Sequence, residues 1–300
     1  MKHKDNTKKL SLLVQSKIKE INNRLIKKLK LNLNQVVDTS LVDVRVIGHQ
    51  IPKIIHQVYS SDKNLPEEIK HNIITLKKMN SDWEYRLYDD DKMQVYVSNH
   101  YPEILKYYNK INPKYGAAKA DFFRYLVMYR EGGVYLDIKS SLSKPLSEII
   151  KPDDRYILAR WPDSRGKHSY EGKFVDEFQQ WHIIAVAGHP FLKAVLENVC
   201  LNIKKYNPLL HSKGFWGVLT TTGPIAYTLS ILPILDEQKY RIGTDEDFKL
   251  VYSIFSGKKD TVHHHTMFKS HYSQLTESIT EQPEFINFIF HIARKLKSIF

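Results

Sequence analysis

The 300-residue chain contains one cysteine, Cys200. No internal disulfide can form, and a reducing compartment is permitted though not required. A small core side chain in the helix after Gly188-His189-Pro190 explains this residue without any reactivity. Also missing is any run of 18 apolar residues, so no transmembrane helix is expected. Residues 1–30 lack the continuous apolar stretch of a secretory signal, and the expected location is cytoplasmic. Zinc spacing of the Cys-x-x-Cys kind, a nucleophile elbow and a phosphate-binding glycine loop are all absent, as are internal repeats. What is present suffices for a sizeable core: 42% of the residues are hydrophobic and 18 are tyrosines. One large domain is expected.

Acidic residues are scarce at both ends, and this sets the charge. Residues 1–33 carry ten Lys/Arg and two acids, and residues 285–300 add Arg294, Lys295 and Lys297 with no acid. Of the net +12, the stretch 34–284 holds only +1. Both ends are also amphipathic. Leu10, Leu13, Val14, Ile18, Ile21, Leu25 and Leu29 form one stripe at helical spacing; Phe285, Phe288, Ile289, Ile292, Leu296 and Phe300 belong to another. Basic helices with apolar faces predict peripheral binding to an anionic membrane surface, or simple packing on the body. No nucleic-acid motif accompanies the charge, so no nucleic-acid partner is expected. Segments 1–37 and 284–300 are read as basic amphipathic helices flanking a body at 38–283.

Between the ends, strand and helix patterns alternate. Lys53–Tyr59 and Trp83–Tyr88 read as strands, with a helix from Pro66 to about Met79 between them. Helices follow near 91–98, 102–109 and 116–131, then a strand at 134–137. Further strands are expected at Arg155–Ala159 and Trp181–Ala187, with helices at Pro190–Lys204 and Pro224–Leu232. This order predicts an α/β fold with a mainly parallel sheet covered by helices.

The most informative stretch is Ala117–Pro145, AAKADFFRYLVMYREGGVYLDIKSSLSKP. Asp121 and Arg124 share one helix face, Gly132-Gly133 suits the helix stop, and Val134-Tyr135-Leu136 delivers Asp137 to a strand's carboxyl end. Ligands bind at that edge of open α/β sheets. This segment resembles the Asp-x-Asp region of glycosyltransferase family 32. The segments Ile51–Tyr59 and Asn80–Asp90 are similar to the family's first two strands, and Gly188–Phe191 and Thr222-Gly223-Pro224 more weakly so. In place of the family's second aspartate stands Lys139.

The resemblance implies a GT-A nucleotide-sugar transferase fold and a sugar transferred, with retention, from a nucleotide-sugar donor to a glycan, glycolipid or polysaccharide acceptor. It implies that Val58 and Tyr59 meet the donor base, that Asp121 and Arg124 hold sugar hydroxyls, that Tyr135 supports the ribose or sugar, and that Asp137 sits beside the diphosphate and its metal, Mn2+ or Mg2+. Tyr125 and Gly133, in the same signature, and Trp83, as a base platform or a core aromatic, complete the donor set with His271 and Ser273 from a late loop. Asp121, Arg124, Asp137 and Lys139 are the candidate catalytic residues. A departing diphosphate needs a metal or fixed positive groups, and carboxylates bind sugar hydroxyls directionally.

Duller readings stand beside these. Asp121 and Arg124 form a surface ion pair, or Asp137 caps a turn through Ser140 and Ser141. His56 is a structural histidine in an apolar strand. Trp161, Trp181 and Trp216 are core residues or line an acceptor groove. Residues 137 and 139 share a face if the strand continues, which would bring the Lys139 ammonium to the phosphates; otherwise it points elsewhere. His263-His264-His265 is a loop rather than a metal site, since consecutive side chains diverge. A catalytically inactive nucleotide- or glycan-binding protein and a basic structural protein are the rival functions.

Overall fold

The computed structural model describes residues 41–60, 65–170, 172–208, 211–255 and 272–282. The expected terminal helices, the triple histidine and His271 lie outside these residues.

A six-stranded sheet forms the centre, in the order β2-β1-β3-β8-β5-β9. Its strands are β1 (Ile54–Val58), β2 (Glu84–Tyr88), β3 (Gly133–Leu136), β5 (Tyr156–Arg160), β8 (His182–Ala185) and β9 (Arg241–Thr244). All run parallel except β8, which is antiparallel to both neighbours. The mainly parallel sheet expected from the alternating pattern is therefore observed. Because β8 is reversed, its amino end joins the carboxyl ends of β1, β3 and β5 at a single edge. Two short pairings lie outside the sheet: β4 (Ser141–Leu142) with β10 (Leu250–Val251), and the hairpin β6 (Lys167–Tyr170) with β7 (Lys173–Asp176).

The helices are α1 (Glu67–Met79), α2 (Asp90–His100), α3 (Pro102–Lys110), α4 (Gly116–Glu131), α5 (Leu146–Ile149), α6 (Pro190–Lys205), α7 (Gly214–Thr221) and α8 (Pro224–Ile231). One core joins α4 and α6 to a sheet face through Phe122, Leu126, Tyr135, Ile183, Leu192 and Val195. The other face buries Ile55, Val134, Leu136 and Ile184 against Leu76 of α1 and Leu146 of α5. From Asp121 to Tyr129 every residue of α4 is buried, so this helix is enclosed rather than amphipathic. Residues Gly214–Glu237 are long and apolar enough, by composition, to cross a membrane, yet 61% of the window is buried. The run is divided into α7, α8 and a 3₁₀ turn at Leu232–Glu237, with Gly223-Pro224 breaking it. Cys200 is a buried α6 residue as expected, and burial pushes its thiol up to about 12.

Strands and helices with clear period fall within a residue or two of expectation. The strands and α-helices not anticipated are β4, β6, β7, β9, β10, α5 and α7. Arg241-Ile242-Gly243-Thr244 is only four residues long with a single apolar side chain and a glycine, and becomes a strand by pairing with β5.

Among the described residues three buried histidines should make the fold acid-labile. Burial lowers His56 and His189 to about 4 and His182 to about 3. His56 is the expected structural residue, its ring nitrogens 3.1 Å from Tyr88 Oη and Gly132 O. Unfolded imidazoles take up protons near pH 6.5, which the folded ones refuse until pH 4 or below. Stability should therefore fall as pH drops from 6.5 toward 4, by up to about 1.4 kcal/mol per pH unit for each histidine. Urea midpoints across that range provide the check. The slope should flatten in His182→Gln, and an unaltered slope would contradict a neutral, buried His182.

Candidate active site

The sheet's carboxyl edge collects the charged residues singled out above. Helix α4 leads into β3, so its first turns stand over the edge where β3 ends. Arg124 is the hub. Its Nη2 lies 3.0 Å from Asp121 Oδ1 and 3.1 Å from Asp137 Oδ1, and its Nη1 donates to Gln180 O at 2.7 Å. The guanidinium also lies 4.6 Å from the centre of the Tyr135 ring. Burial alone would lower the Arg124 pKa, but Asp137, Tyr135 and Asp121 outweigh it and hold the group charged.

Asp121 is fixed on every side. Gln180 Nε2 donates to its Oδ1 at 3.0 Å and Thr222 Oγ1 to its Oδ2 at 3.1 Å. Burial pushes its carboxyl upward, opposed by Arg124 and these two donors. The side chains of Asp121 and Arg124 are both 6% exposed, whereas that of Asp137 is 26% exposed. This is no surface ion pair: it is an enclosed clamp that presents one carboxylate to solvent. Nor does Asp137 use its carboxylate as a cap. Ser140 N–H donates to the Asp137 backbone carbonyl at 2.8 Å, and Gln57 Nε2 donates to the same carbonyl at 3.1 Å. The carboxylate remains for Arg124 and for Tyr135 Oη, 3.4 Å away.

Several expected contacts need correction. Trp83 precedes β2, at the amino edge of the sheet, about 16 Å of strand away from the edge holding Tyr59 and Asp137. It packs with Met79 and Tyr85 on the second core and cannot meet a donor at the carboxyl edge. Gly133 also begins its strand at the far edge. With φ +98 and only 2.6 Å between an added Cβ and Ile54 O, it is a backbone-packing glycine. Tyr125 is fully buried. Its hydroxyl lies 3.0 Å from Gln180 Oε1 and 2.9 Å from Thr222 O, two acceptors that share its one proton, so it braces Asp121's partners. Tyr135, 1% exposed, likewise supports from beneath. Asp121 and Arg124, the residues expected to hold sugar hydroxyls, are enclosed and fix the Asp137 carboxylate.

Val58 and Tyr59 do reach the carboxyl edge, where Tyr59 packs against Ile69, Ile73 and Ile138. Lys139 follows two residues after Asp137, but the strand has ended at Leu136 and residues 138–139 form a turn. The two side chains therefore do not share a strand face. The ammonium lies 2.9 Å from Tyr252 Oη and 4.1 Å from the centre of that ring. Ser273 is exposed on a 3₁₀ turn at Tyr272–Gln274 that packs beside α7.

Gln180 was missed in the sequence, where nothing marks it; Thr222 was signalled only by the weak Thr222-Gly223-Pro224 similarity. For a divalent metal the donor set is thin. Asp137 offers one carboxylate, its Oδ1 already beside a guanidinium, and among the described residues no three His, Cys, Asp or Glu side chains converge. These residues do not fit an ion held by the protein alone.

A buried arginine clamp ending in one presented carboxylate stands at the carboxyl edge of the α/β sheet, where open sheets of this kind bind ligands. Residues 66–156, under a third of the chain, match the family described as "Glycosyltransferase sugar-binding region containing DXD motif". Over that segment the chain is similar to this family, in line with the resemblance its Asp-x-Asp-region motifs carry. It is 24% identical over 179 residues to inositol phosphoceramide mannosyltransferase 1 of Schizosaccharomyces pombe, covering 59% of this chain and 50% of that one. It is 27% identical over 165 residues to the initiation-specific alpha-1,6-mannosyltransferase of Candida albicans, covering 49% and 42%. The chain thus spans about half the length of these curated relatives or less. Among solved structures it is similar to PaToxG Glycosyltransferase, with 18% identity over 72% of this chain and 80% of that one, and a TM-score of 0.45.

Proposed function

We propose that this protein is a glycosyltransferase that moves a hexose, mannose by similarity to the relatives' names, from a nucleotide-sugar donor to a glycan or glycolipid acceptor. The observation that carries this reading is the Asp121–Arg124–Asp137 clamp at the end of β3. In this mechanism Tyr59 and the Val58 backbone face the base. Asp137 meets the donor next to its diphosphate, and Arg124 fixes that carboxylate's rotamer so that little reorganisation is needed on binding. The anomeric C–O bond breaks, the nucleoside diphosphate leaves with the electron pair, and an acceptor hydroxyl oxygen forms the new bond with retention at the anomeric carbon, its proton passing to the departing diphosphate.

The departing charge needs a counterpart. We give part of that role to the Lys139 ammonium, which the turn after β3 and Tyr252 keep at the same sheet edge although it shares no strand face with Asp137, so that dependence on divalent metal is reduced. The test is donor hydrolysis and transfer by purified protein with GDP-mannose and a panel of UDP-sugars, in excess chelator with and without manganese. Turnover that persists in chelator is the expected outcome. Complete loss in chelator, restored by manganese, would remove Lys139 from this role; no turnover of any donor would favour the inactive binding protein.

Membrane association is a separate proposal, resting on the basic amphipathic ends. Deleting residues 285–300 should release the protein from anionic vesicles at low salt while activity on a soluble acceptor persists. A deletion that leaves vesicle binding intact would refute it.

A further inference from the structure

Beyond the clamp, an aromatic wall runs outward along the same edge. It starts at Tyr252, which holds Lys139 and lies 5.5 Å, ring to ring, from Trp181 and 5.1 Å from Trp161. Trp161 follows the carboxyl end of β5, two strands from β3 and so about 10 Å from Asp137. One buried carboxylate then pins two rings. Glu177 accepts from Trp161 Nε1 at 2.7 Å on one oxygen, and its other oxygen lies 2.9 Å from His168 Nε2. Gly166 makes room for this, since an added Cβ would fall 2.3 Å from Trp161 Cδ1 and 3.0 Å from Glu177 Cγ. His168 in turn meets Trp216 edge to face, with ring centres 5.6 Å apart.

Trp216 is the outer end of this wall, and it is 44% exposed. Helix α7 buries Gly217, Val218, Leu219 and Thr221, so Trp216 and the adjoining Phe215 are the residues it turns outward. The same helix ends at Thr222, whose hydroxyl holds Asp121. The exposed indole is therefore tied to the clamp through α7 and Thr222, and through the Glu177 pins and Trp161 to the Tyr252–Lys139 pair. A single exposed aromatic needs no explanation, but a chain of rings locked by a buried carboxylate and starting at the turn that follows Asp137 does.

We infer that Trp216 and the His168–Glu177–Trp161 wall form the acceptor subsite, where a hydroxylated six-membered ring stacks its C–H face on the indole. This rests on the glycosyltransferase reading and adds to it where the acceptor lies and what part of it is recognised. The electron-rich indole face attracts the polarised C–H bonds of such a ring, while ring hydroxyls stay at the rim where water and polar side chains reach them. A pyranose and a cyclitol share this chemistry.

Two probes separate those sources: methyl α-D-mannopyranoside and myo-inositol. Full-length protein and its Trp216→Ala, Trp216→Phe and Phe174→Ala variants are compared, with melting temperature confirming the fold. Phe174, exposed on the β6–β7 hairpin and outside the wall, is the control. Saturation-transfer NMR should show protein-to-probe transfer at ring C–H protons, weakened in Trp216→Ala, partly kept in Trp216→Phe and unaffected in Phe174→Ala. With a turned-over donor, the acceptor KM for the recognised probe should rise roughly 3- to 10-fold in Trp216→Ala, the donor KM holding constant. Loss confined to the mannoside assigns a sugar acceptor, and loss confined to inositol assigns a cyclitol headgroup. Saturation of neither probe, or equal saturation and equal KM in Trp216→Ala, overturns the inference. So does a Trp216→Ala protein that loses binding to phosphatidylserine vesicles while its probe contacts persist, which would make the surface lipid-facing. If no donor is turned over but the NMR contrast appears, the transferase reading fails and the ring site stands.

Discussion

Purified Asp137→Asn protein should transfer sugar at least about 100-fold more slowly than the unchanged chain while melting at nearly the same temperature. The substitution keeps the side chain's size but removes the charge that faces Arg124 and the proposed donor. Loss of one charge-assisted contact costs about 2–3 kcal/mol, which is roughly two decades in rate. Stability should change little, because this carboxylate is a quarter exposed and Arg124 retains Asp121 and the Gln180 carbonyl. Activity within a few-fold of the unchanged protein would remove Asp137 from the centre of the site. A large drop in melting temperature would instead assign it a structural role.

Arg124→Met should behave differently, losing stability as well as activity. Asp121 would remain at 4% exposure with only neutral donors, Gln180 and Thr222, to hold its charge. Removing one partner of a buried ion pair costs about 3–5 kcal/mol, because the other charge is left enclosed. Urea denaturation measures this directly. The double variant Asp121→Asn/Arg124→Met should be less destabilised than the two single losses combined, since each removes what the other would leave unpaired. Arg124→Lys should recover only part of the stability, for one ammonium cannot span the Gln180 carbonyl and two carboxylates at once. A loss below about 1 kcal/mol in Arg124→Met would show that the clamp is not energetically coupled.

Much of this site could be read before any coordinates. The Asp121–Arg124 spacing, the double-glycine stop and the apolar Val134-Tyr135-Leu136 run place an aspartate at a strand's carboxyl end from local rules alone. Those rules work over a few residues, where helical period and glycine's φ freedom act directly. They fail where a residue's role depends on which end of the sheet it occupies. Trp83 and Tyr59 look alike as aromatics flanking strands, but Tyr59 follows β1 whereas Trp83 precedes β2, and parallel pairing sets them at opposite edges. Lys139 was ambiguous for a related reason: whether its side chain aligned with Asp137 turned on where β3 stopped, and a turn closed by Ser140 N–H decided it.

The sequence by itself determined the alternation that makes an α/β sheet, the helix and strand that carry the clamp, and the motifs between Ile51 and Pro145 that resemble a sugar-transferase family. Tertiary structure alone decided what surrounds the clamp. Gln180 and Thr222 lie 59 and 101 positions from the Asp121 they hold, and no local pattern marks a hydrogen bond over that separation. Enclosure was equally invisible, since an i,i+3 ion pair has the same spelling on a surface as in a core. It took α4 buried between α6, α7 and the sheet to desolvate Asp121 and Arg124 and leave Asp137 as the carboxylate of the three that meets solvent.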